Sequence, residues 1–319
     1  PARKPTPEEK AAVRASVVLG LSTGETFDDV DLAGAELIEL DFSGRSLAGA
    51  NLKDATLRGC RFTGANLTGA LLAGADLTDA DLRGAALDGA DLVGARLERA
   101  LLDGASLEAA DLSNVAADRA SFTKCRGAGA MFAGASLVGA RFDGAELASA
   151  DLGGATLDDA SFADASLVEV RLYYAKGERA RFDRAILDEA RGDDATLCAC
   201  SFVGVRAPQS IWEKAKLTGS SFASAQLAGA SFTRAACERV VFHAVDAPGA
   251  RFQRAKLASA ELLKANLLAA DFERADLTNA DLRGANLHAA ETWKAKLDGA
   301  KLDLAILTKS KLAPGASKR

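Results

Sequence analysis

Histidine and cysteine, the side chains that most often carry catalysis or bind metals, are few and poorly spaced in this sequence. Its two histidines, His243 and His288, stand far apart, and its cysteines form neither a CxxC pair nor a Cys/His spacing typical of zinc sites. We interpret the histidines as surface residues and the cysteines as small apolar residues of a protein kept in a reducing compartment. The cysteines are Cys60, Cys125, Cys198, Cys200 and Cys237.

Aspartate recurs regularly, one position before a leucine. Paired carboxylates can perform acid–base catalysis when a cleft shifts their pKa values. Evenly spaced rows predict an open surface instead, so we expect these carboxylates to accept hydrogen bonds from turns and to face water. Since the sequence also has no phosphate-binding glycine loop and no nucleophile elbow, it predicts a protein without catalysis, metal or cofactor. The recurring residues are Asp76, Asp81, Asp91, Asp111, Asp271 and Asp281.

A five-residue repeat runs through nearly the whole chain and must position these carboxylates. From Phe27 to Leu312, 58 consecutive pentapeptides have a central residue that is nearly always Leu or Phe, usually with Ala two residues earlier. A period of five fits neither the 3.6 residues of a helical turn nor the alternation of a strand. We therefore expect each pentapeptide to turn one corner and to point its central residue and the earlier small residue inwards.

The phenylalanines indicate how many corners make one coil. Of the 14, 13 lie at positions ending in 2, and from Phe122 to Phe242 they recur every 20 residues. This spacing predicts four pentapeptides per coil, about 14 coils in all, and rings stacked on one wall. A second set, offset by ten residues, is expected on the opposite wall and includes Phe132, Phe232, Phe252 and Phe272.

The repeat weakens in places. Where a central residue shrinks, the earlier inward residue often grows, which predicts an exchange of volume in a close-packed interior. Gly177 and Gly192 lack such compensation, so we expect the weakest or most distorted coils between about 175 and 212. Gly at the last position of a pentapeptide supplies the positive φ of a type II turn. Its replacement by Lys, Arg, Ser or Ala beyond Lys214 predicts other turn types there.

The motif itself resembles that of a known family. The units beginning at Ala65, Ala75, Ala80 and Ala280 read Ala-(Asn or Asp)-Leu and resemble the Ala-(Asp/Asn)-Leu-X-X motif of pentapeptide-repeat proteins. The resemblance covers about nine tenths of the chain. It implies an all-β solenoid, namely a right-handed quadrilateral β-helix.

The start of the chain predicts a capping helix. Residues 5–21 offer Thr6 as N-cap, a capping box completed by Glu9, and an apolar stripe that includes Val17. Such a helix would cover the first coil, as the terminal units of repeat arrays require. The predicted organisation is a segment with this helix, an uninterrupted β-helix and a tail, at residues 1–24, 25–313 and 314–319.

The resemblance also implies two functions. A helix that enters the repeats directly is similar to pentapeptide-repeat regions in accessory proteins of bacterial type VI secretion systems, which implies a rigid scaffold that helps hold or load an effector. Other members of the family mimic DNA and bind DNA gyrase or topoisomerase, as inhibitors or in antibiotic protection. The acidic stretch 25–120 (net charge −10) fits such mimicry, whereas the basic stretch 201–319 (+7) opposes it.

Other partners are less favoured by the sequence. Aromatic residues do not interleave with the basic ones, which argues against direct binding of nucleic acid. No run of 18 apolar residues occurs, so we expect no membrane span. The first residues lack the apolar core of a signal peptide, and we expect a cytoplasmic protein.

Outward aromatic and apolar residues predict the surfaces that bind a protein partner. Tyr173 and Tyr174 should lie outside, near Arg171, Arg179 and Arg181. No helix pattern follows the last repeat, and an uncovered final coil predicts pairing with another molecule, including an end-to-end dimer. The apolar residues at outward positions near this end are Leu263, Leu268, Trp293, Leu304 and Ile306.

Overall fold

The computed structural model describes residues 6–312 of the chain. Two compact units divide the protein, unit 1 at Pro1–Thr156 and unit 2 at Leu157–Arg319. Each unit is built from successive coils of pentapeptides. The tail predicted at 314–319 lies outside the described residues.

Regular secondary structure is confined to three short elements. Unit 1 begins with helix α1 (Pro7–Thr23), and unit 2 contains strands β1 (Lys176–Glu178) and β2 (Thr196–Cys198), which pair in parallel. Elsewhere each side of a coil contributes only one bridging residue before the chain turns again. A period of five therefore yields isolated bridges instead of long strands.

The bridges fix the size of a coil. In unit 1 Asp31 bridges to Asn51, and in unit 2 Ile211 bridges to Ser231; every isolated bridge joins residues 20 apart and is parallel. Four pentapeptides therefore make one coil, as the phenylalanine spacing predicts. Neighbouring coils lie about 4.8 Å apart, the ordinary spacing of paired strands.

Phenylalanine rings form two stacks inside unit 2. Phe202 stacks on Phe222 with ring centroids 4.5 Å apart, and Phe232 stacks on Phe252 at 5.2 Å. The two stacks meet edge to face, since Phe222 and Phe232 are 5.7 Å apart at an interplanar angle of 87°. This arrangement confirms the predicted walls and favours both the faces and the edges of the rings.

Every coil turns its corners with the same backbone conformation, whatever residue is present. The last residue of each pentapeptide is left-handed: Gly69 has φ 65°, Lys214 57° and Ala244 52°. The prediction of other turn types beyond Lys214 was therefore wrong. The reason is the hydrogen bonding between coils, because Lys214 N donates to Thr233 O at 3.0 Å as Gly69 N does to Asp88 O at 2.9 Å.

The interior around Gly192 is filled by a residue from the next coil. Trp212 is fully buried, and a Cβ on Gly192 would lie 2.4 Å from its ring. A Cβ on Gly177 would likewise come within 3.1 Å of Leu157. The coils between 175 and 212 are not distorted: they keep their bridges and include β1 and β2. The prediction of distortion there was wrong because it ignored neighbours 20 residues away.

The exchange of volume within a pentapeptide does occur. Val205 and Ala207 are both fully buried, as are Val245 and Ala247 to within 1%. The larger earlier residue thus fills the interior that the smaller central residue leaves. Packing density is kept although the residue types change places.

Helix α1 forms as its capping signals predict, although two residues later than expected. Thr6 is the N-cap: its hydroxyl accepts a hydrogen bond from Glu9 N at 3.3 Å, and its own N–H donates to Glu9 Oε2 at 2.7 Å. The helix begins at Pro7 and ends before Gly24, whose φ of 83° closes it.

This helix covers the first coil of unit 1. Val17 is 2% exposed, and Gly20 lies so close to Phe27 that a Cβ would be 3.2 Å from its ring. The Arg14 guanidinium donates to Ile38 O at 3.0 Å. The helix therefore buries apolar surface and satisfies a carbonyl that an open coil edge would expose.

Candidate interaction surfaces

The cysteines and histidines of the described residues form no reactive cluster. Among residues 6–312 no three His, Cys, Asp or Glu side chains are grouped so that they could hold a metal ion. Burial raises the pKa of Cys125 and of Cys200 to about 12, so neither thiol is a ready nucleophile. His288 Nδ1 lies 2.6 Å from Thr308 Oγ1, one coil further on.

The aspartates before the central residues serve the turns. Asp91 Oδ1 accepts a hydrogen bond from Val93 N at 3.1 Å, and Asp111 Oδ1 accepts one from Ser113 N at 2.9 Å. The prediction that these carboxylates bond to turns is confirmed. The same bond lowers the pKa of Asp276 and Asp281, together with bonds from side chains of the same turns.

The tyrosine pair lies on unit 2 and is only partly free. Tyr174 is 65% exposed, whereas Tyr173 is half-buried beneath Arg191, whose guanidinium lies 5.3 Å from the ring centroid. Sequence reasoning missed Arg191 because it is one coil away. Arg171 bridges to this same Arg191, so it shares the face of the tyrosines.

The other two arginines predicted beside the tyrosines are engaged elsewhere. Arg179 binds Asp159 through two hydrogen bonds of 2.8 Å, and Arg181 contacts Asp183 at 3.3 Å. They belong to the next two pentapeptides and hold neighbouring turns together. The candidate surface is therefore reduced to the tyrosines, Arg171 and Arg191.

The apolar residues near the end of unit 2 are exposed, apart from Leu263, which is half-buried. Trp293 is held between two cations, with Arg274 4.9 Å and Lys294 4.3 Å from its ring. The four exposed side chains are Leu268 (39%), Trp293 (42%), Leu304 (92%) and Ile306 (51%).

The last described coil also has an open edge. Leu297, Leu302 and Leu307 are central residues, yet they are half-buried where earlier ones are fully buried. Within the described part of the chain their N–H groups donate to no backbone carbonyl, whereas Leu277 N donates to Lys296 O at 2.8 Å. This end of unit 2 thus presents both apolar side chains and unpaired amides.

A membrane-crossing helix is absent from residues 6–312, where the one helix is neither long nor apolar enough.

Comparison with curated proteins finds no significant match. Among solved structures, HetL, a pentapeptide repeat protein involved in heterocyst differentiation regulation in Nostoc sp. strain PCC 7120, is 24% identical over 96% of this chain and 98% of its own, with a TM-score of 0.29. A pentapeptide repeat protein of the Arabidopsis thaliana thylakoid lumen is 36% identical over 30% of this chain and 70% of its own, with a TM-score of 0.26.

QnrB1, a plasmid-mediated fluoroquinolone resistance protein, is 16% identical over 55% of this chain and 90% of its own, with a TM-score of 0.26. At such TM-scores these structures carry no argument of their own. The family model for pentapeptide repeats (8 copies) does, because its overlapping matches cover 27–176 and 235–303. Since these stretches make up well over half of the chain, the protein belongs to the pentapeptide-repeat family, whose coils form a right-handed quadrilateral β-helix.

Proposed function

We propose that the protein is a non-catalytic scaffold that binds another protein through the end of unit 2. The observation that supports this most directly is the exposure of Trp293, Leu304 and Ile306 beside the unpaired amides of the last described coil. Large apolar side chains grouped on a rigid frame are typical of binding sites. The regular coils behind them need no rearrangement to present them.

The partner in the simplest form of this proposal is a second copy of the chain, joined end to end. Half-buried central residues such as Leu302 would then become buried, and the open amides would find acceptors. Light scattering after size exclusion tests this: the wild-type chain is expected to be a dimer, and Leu304→Ser with Ile306→Ser a monomer. Val203→Ser, also in unit 2 and 40% exposed, is the matched control.

The cellular setting of the scaffold is the accessory or effector-loading part of a bacterial type VI secretion system. This rests on the resemblance of a helix that leads directly into repeats, here α1 followed by Phe27. Affinity capture with the wild-type chain and with the Leu304→Ser, Ile306→Ser variant tests it. A secreted effector retained only by the wild type is expected; the same proteins on both baits would contradict the proposal.

The alternative is a DNA mimic that binds DNA gyrase or topoisomerase, and the acidic stretch of unit 1 supports it. Several of its carboxylates are already paired, however, as Arg99 with Asp79 at 2.6 Å and Arg61 with Asp41. A supercoiling assay with and without a quinolone tests the alternative. If the protein changes neither the supercoiling rate nor the inhibition by quinolone, mimicry is excluded.

A further inference from the structure

One corner of unit 2 carries a cation in five successive coils. The residues are 20 apart, so they stack along one line at about the 4.8 Å spacing of paired strands. Each is exposed and takes the left-handed corner conformation, with φ between 55° and 60°. This cationic ladder consists of Lys214, Arg234, Arg254, Arg274 and Lys294.

Consecutive coils hold the ladder rigid through the backbone. Lys214 N donates to Thr233 O at 3.0 Å, Arg234 N to Gln253 O at 2.9 Å, and Arg254 N to Glu273 O at 2.8 Å. The side chains therefore start from fixed, evenly spaced points. Two further exposed lysines, Lys216 and Lys256, lie two residues beyond ladder positions and add to the positive potential.

Arginines at other corners are neutralised in a way that the ladder excludes. Arg99, Arg179 and Arg184 each bind an aspartate exactly one coil earlier at the same corner, with distances of 2.6 to 2.8 Å. In the ladder the residue one coil before Arg234 or Arg254 is another cation. Within the described residues Lys214, Arg234 and Arg254 have no carboxylate partner within 4.0 Å, so three neighbouring charges remain uncompensated.

The groove beside the ladder is polar and has an open volume of about 400 Å³. Thr233 and Gln253 line its middle, and Glu213 and Glu273 its ends. Glu273 is 3.5 Å from Arg274, which weakens that cation as a free site. The groove contains no large apolar side chain, the feature on which protein–protein binding energy usually depends.

We propose that this cationic ladder binds the phosphate backbone of double-stranded DNA without reading its sequence. Binding of a polyelectrolyte needs no apolar centre, because release of condensed counterions drives it. Arginine forks, present at three of the five positions, match phosphate oxygens. The ladder has no aromatic residue between its cations, which excludes the stacking that single strands require. The sequence argument against direct nucleic-acid binding therefore applies to single strands only.

An acidic protein surface is the competing ligand. A second copy of this chain does not supply it, because no corner or side column of unit 1 has more than two carboxylates in successive coils, as at Asp91 and Asp111. Duplex DNA carries one charge per about 1.7 Å of helix axis and can meet every cation of the row.

Fluorescence anisotropy with a labelled duplex of mixed sequence, titrated between 50 and 300 mM salt, tests the proposal. For three to five phosphate contacts the plot of log affinity against log salt is expected to have a slope of about −3 to −4.5. The triple variant Lys214→Asn, Arg234→Asn, Arg254→Asn should lose at least about 30-fold in affinity at the lowest salt and about 2.7 of that slope. Asn is chosen because Asn114 and Asn279 occupy equivalent corners with φ 58° and 59°.

The control removes the same number of positive charges from paired corners. Arg99→Asn, Arg179→Asn, Arg184→Asn is expected to leave duplex affinity within about threefold, since phosphate contacts and not net charge determine the binding. Equal loss in both variants would overturn the proposal, as would a wild-type chain that fails to bind duplex at 50 mM salt. Poly-L-glutamate that competes as well as duplex at equal charge, or tighter binding of a single strand, would also overturn it.

Discussion

At the scale of single residues, the strain of this fold is concentrated at the corners. Non-glycine residues rarely adopt positive φ, and for an L-residue the left-handed conformation costs roughly 1–2 kcal/mol. Here Ala199, Ala244 and Ala269 all have φ between 52° and 53°. Hydrogen bonds to the next coil hold them there, as Ala244 N donates to Leu263 O at 2.9 Å. The corners are therefore sites where stability can be gained.

Replacing Ala244 by glycine is expected to stabilise unit 2 by about 0.5–1 kcal/mol, because relief of the left-handed strain exceeds the added entropy of the unfolded chain. Urea unfolding followed by circular dichroism measures this. The matched control is Ala230→Gly at a buried inward position without positive φ, which should destabilise the unit by about 1 kcal/mol. Shifts of the same sign in both variants would contradict the explanation.

Asp41 illustrates how one turn carboxylate links stability to pH. The Ser43 hydroxyl and N–H, followed by Arg61, lower the pKa of Asp41 to about 2. Since this pKa is below the value of about 3.9 in the unfolded chain, the stability it contributes is fully present above pH 4 and is lost as the pH falls towards 2. Carbon NMR of the Asp41 carboxyl group should show the low midpoint directly. Ser43→Ala should raise it more than Arg61→Gln does, and the reverse order would assign the shift to the ion pair.

At the scale of pentapeptides and coils, the sequence specifies what is periodic and conceals what is not. The spacing of Phe122 to Phe242 predicts the 20-residue coil, and Thr6 with Glu9 predicts the start of α1, because each signal depends on the chain near it. Contacts between coils join residues 20 apart, so the packing of Trp212 against Gly192 is invisible in a local reading. Trp212 is therefore a core residue and not part of a surface.

The same distance explains why the surfaces were only partly predicted. Exposure of Tyr174 and Leu304 follows from their positions in the repeat. Arg191 above Tyr173 and the cationic ladder do not, since each requires residues of different coils to be compared. A five-residue pattern read at a period of 20 would have found both.

Gly192 and Trp212 should behave as one unit on mutation. Gly192→Leu alone is expected to destabilise unit 2 by about 1–3 kcal/mol, because a Cβ there would lie 2.4 Å from the Trp212 ring. Trp212→Leu alone should cost a similar amount by leaving a cavity. The double variant restores the usual leucine at both positions, so its loss should be smaller than the sum by at least about 1 kcal/mol. Denaturant unfolding of the four proteins measures this coupling, and additive losses would show that the two sites are independent.

At the scale of the whole molecule, the two described ends differ. The start of unit 1 is covered by α1, with Val17 buried and Arg14 bonded to Ile38 O at 3.0 Å. The last described coil of unit 2 has no such cover, and its inward residues Leu297 and Leu302 are half-buried. In repeat proteins each unit depends on its neighbours for stability. A coil with a neighbour on one side only is expected to open most easily, unless a partner supplies the other side.

Hydrogen exchange of the full chain at two concentrations separates these cases. In dilute protein the amides of Leu297, Leu302 and Leu307 should exchange fast, because none donates to a carbonyl within the described residues, whereas Leu217 N, bonded to Ala236 O at 2.8 Å, should stay protected. At high concentration end-to-end pairing should slow the three leucines and leave Leu217 unchanged. Leu304→Ser with Ile306→Ser should abolish this dependence, since the pairing surface includes both side chains. Slow exchange at every dilution in a protein that light scattering shows to be monomeric would mean that the final coil is closed by its own chain, and the scaffold would then need another binding surface.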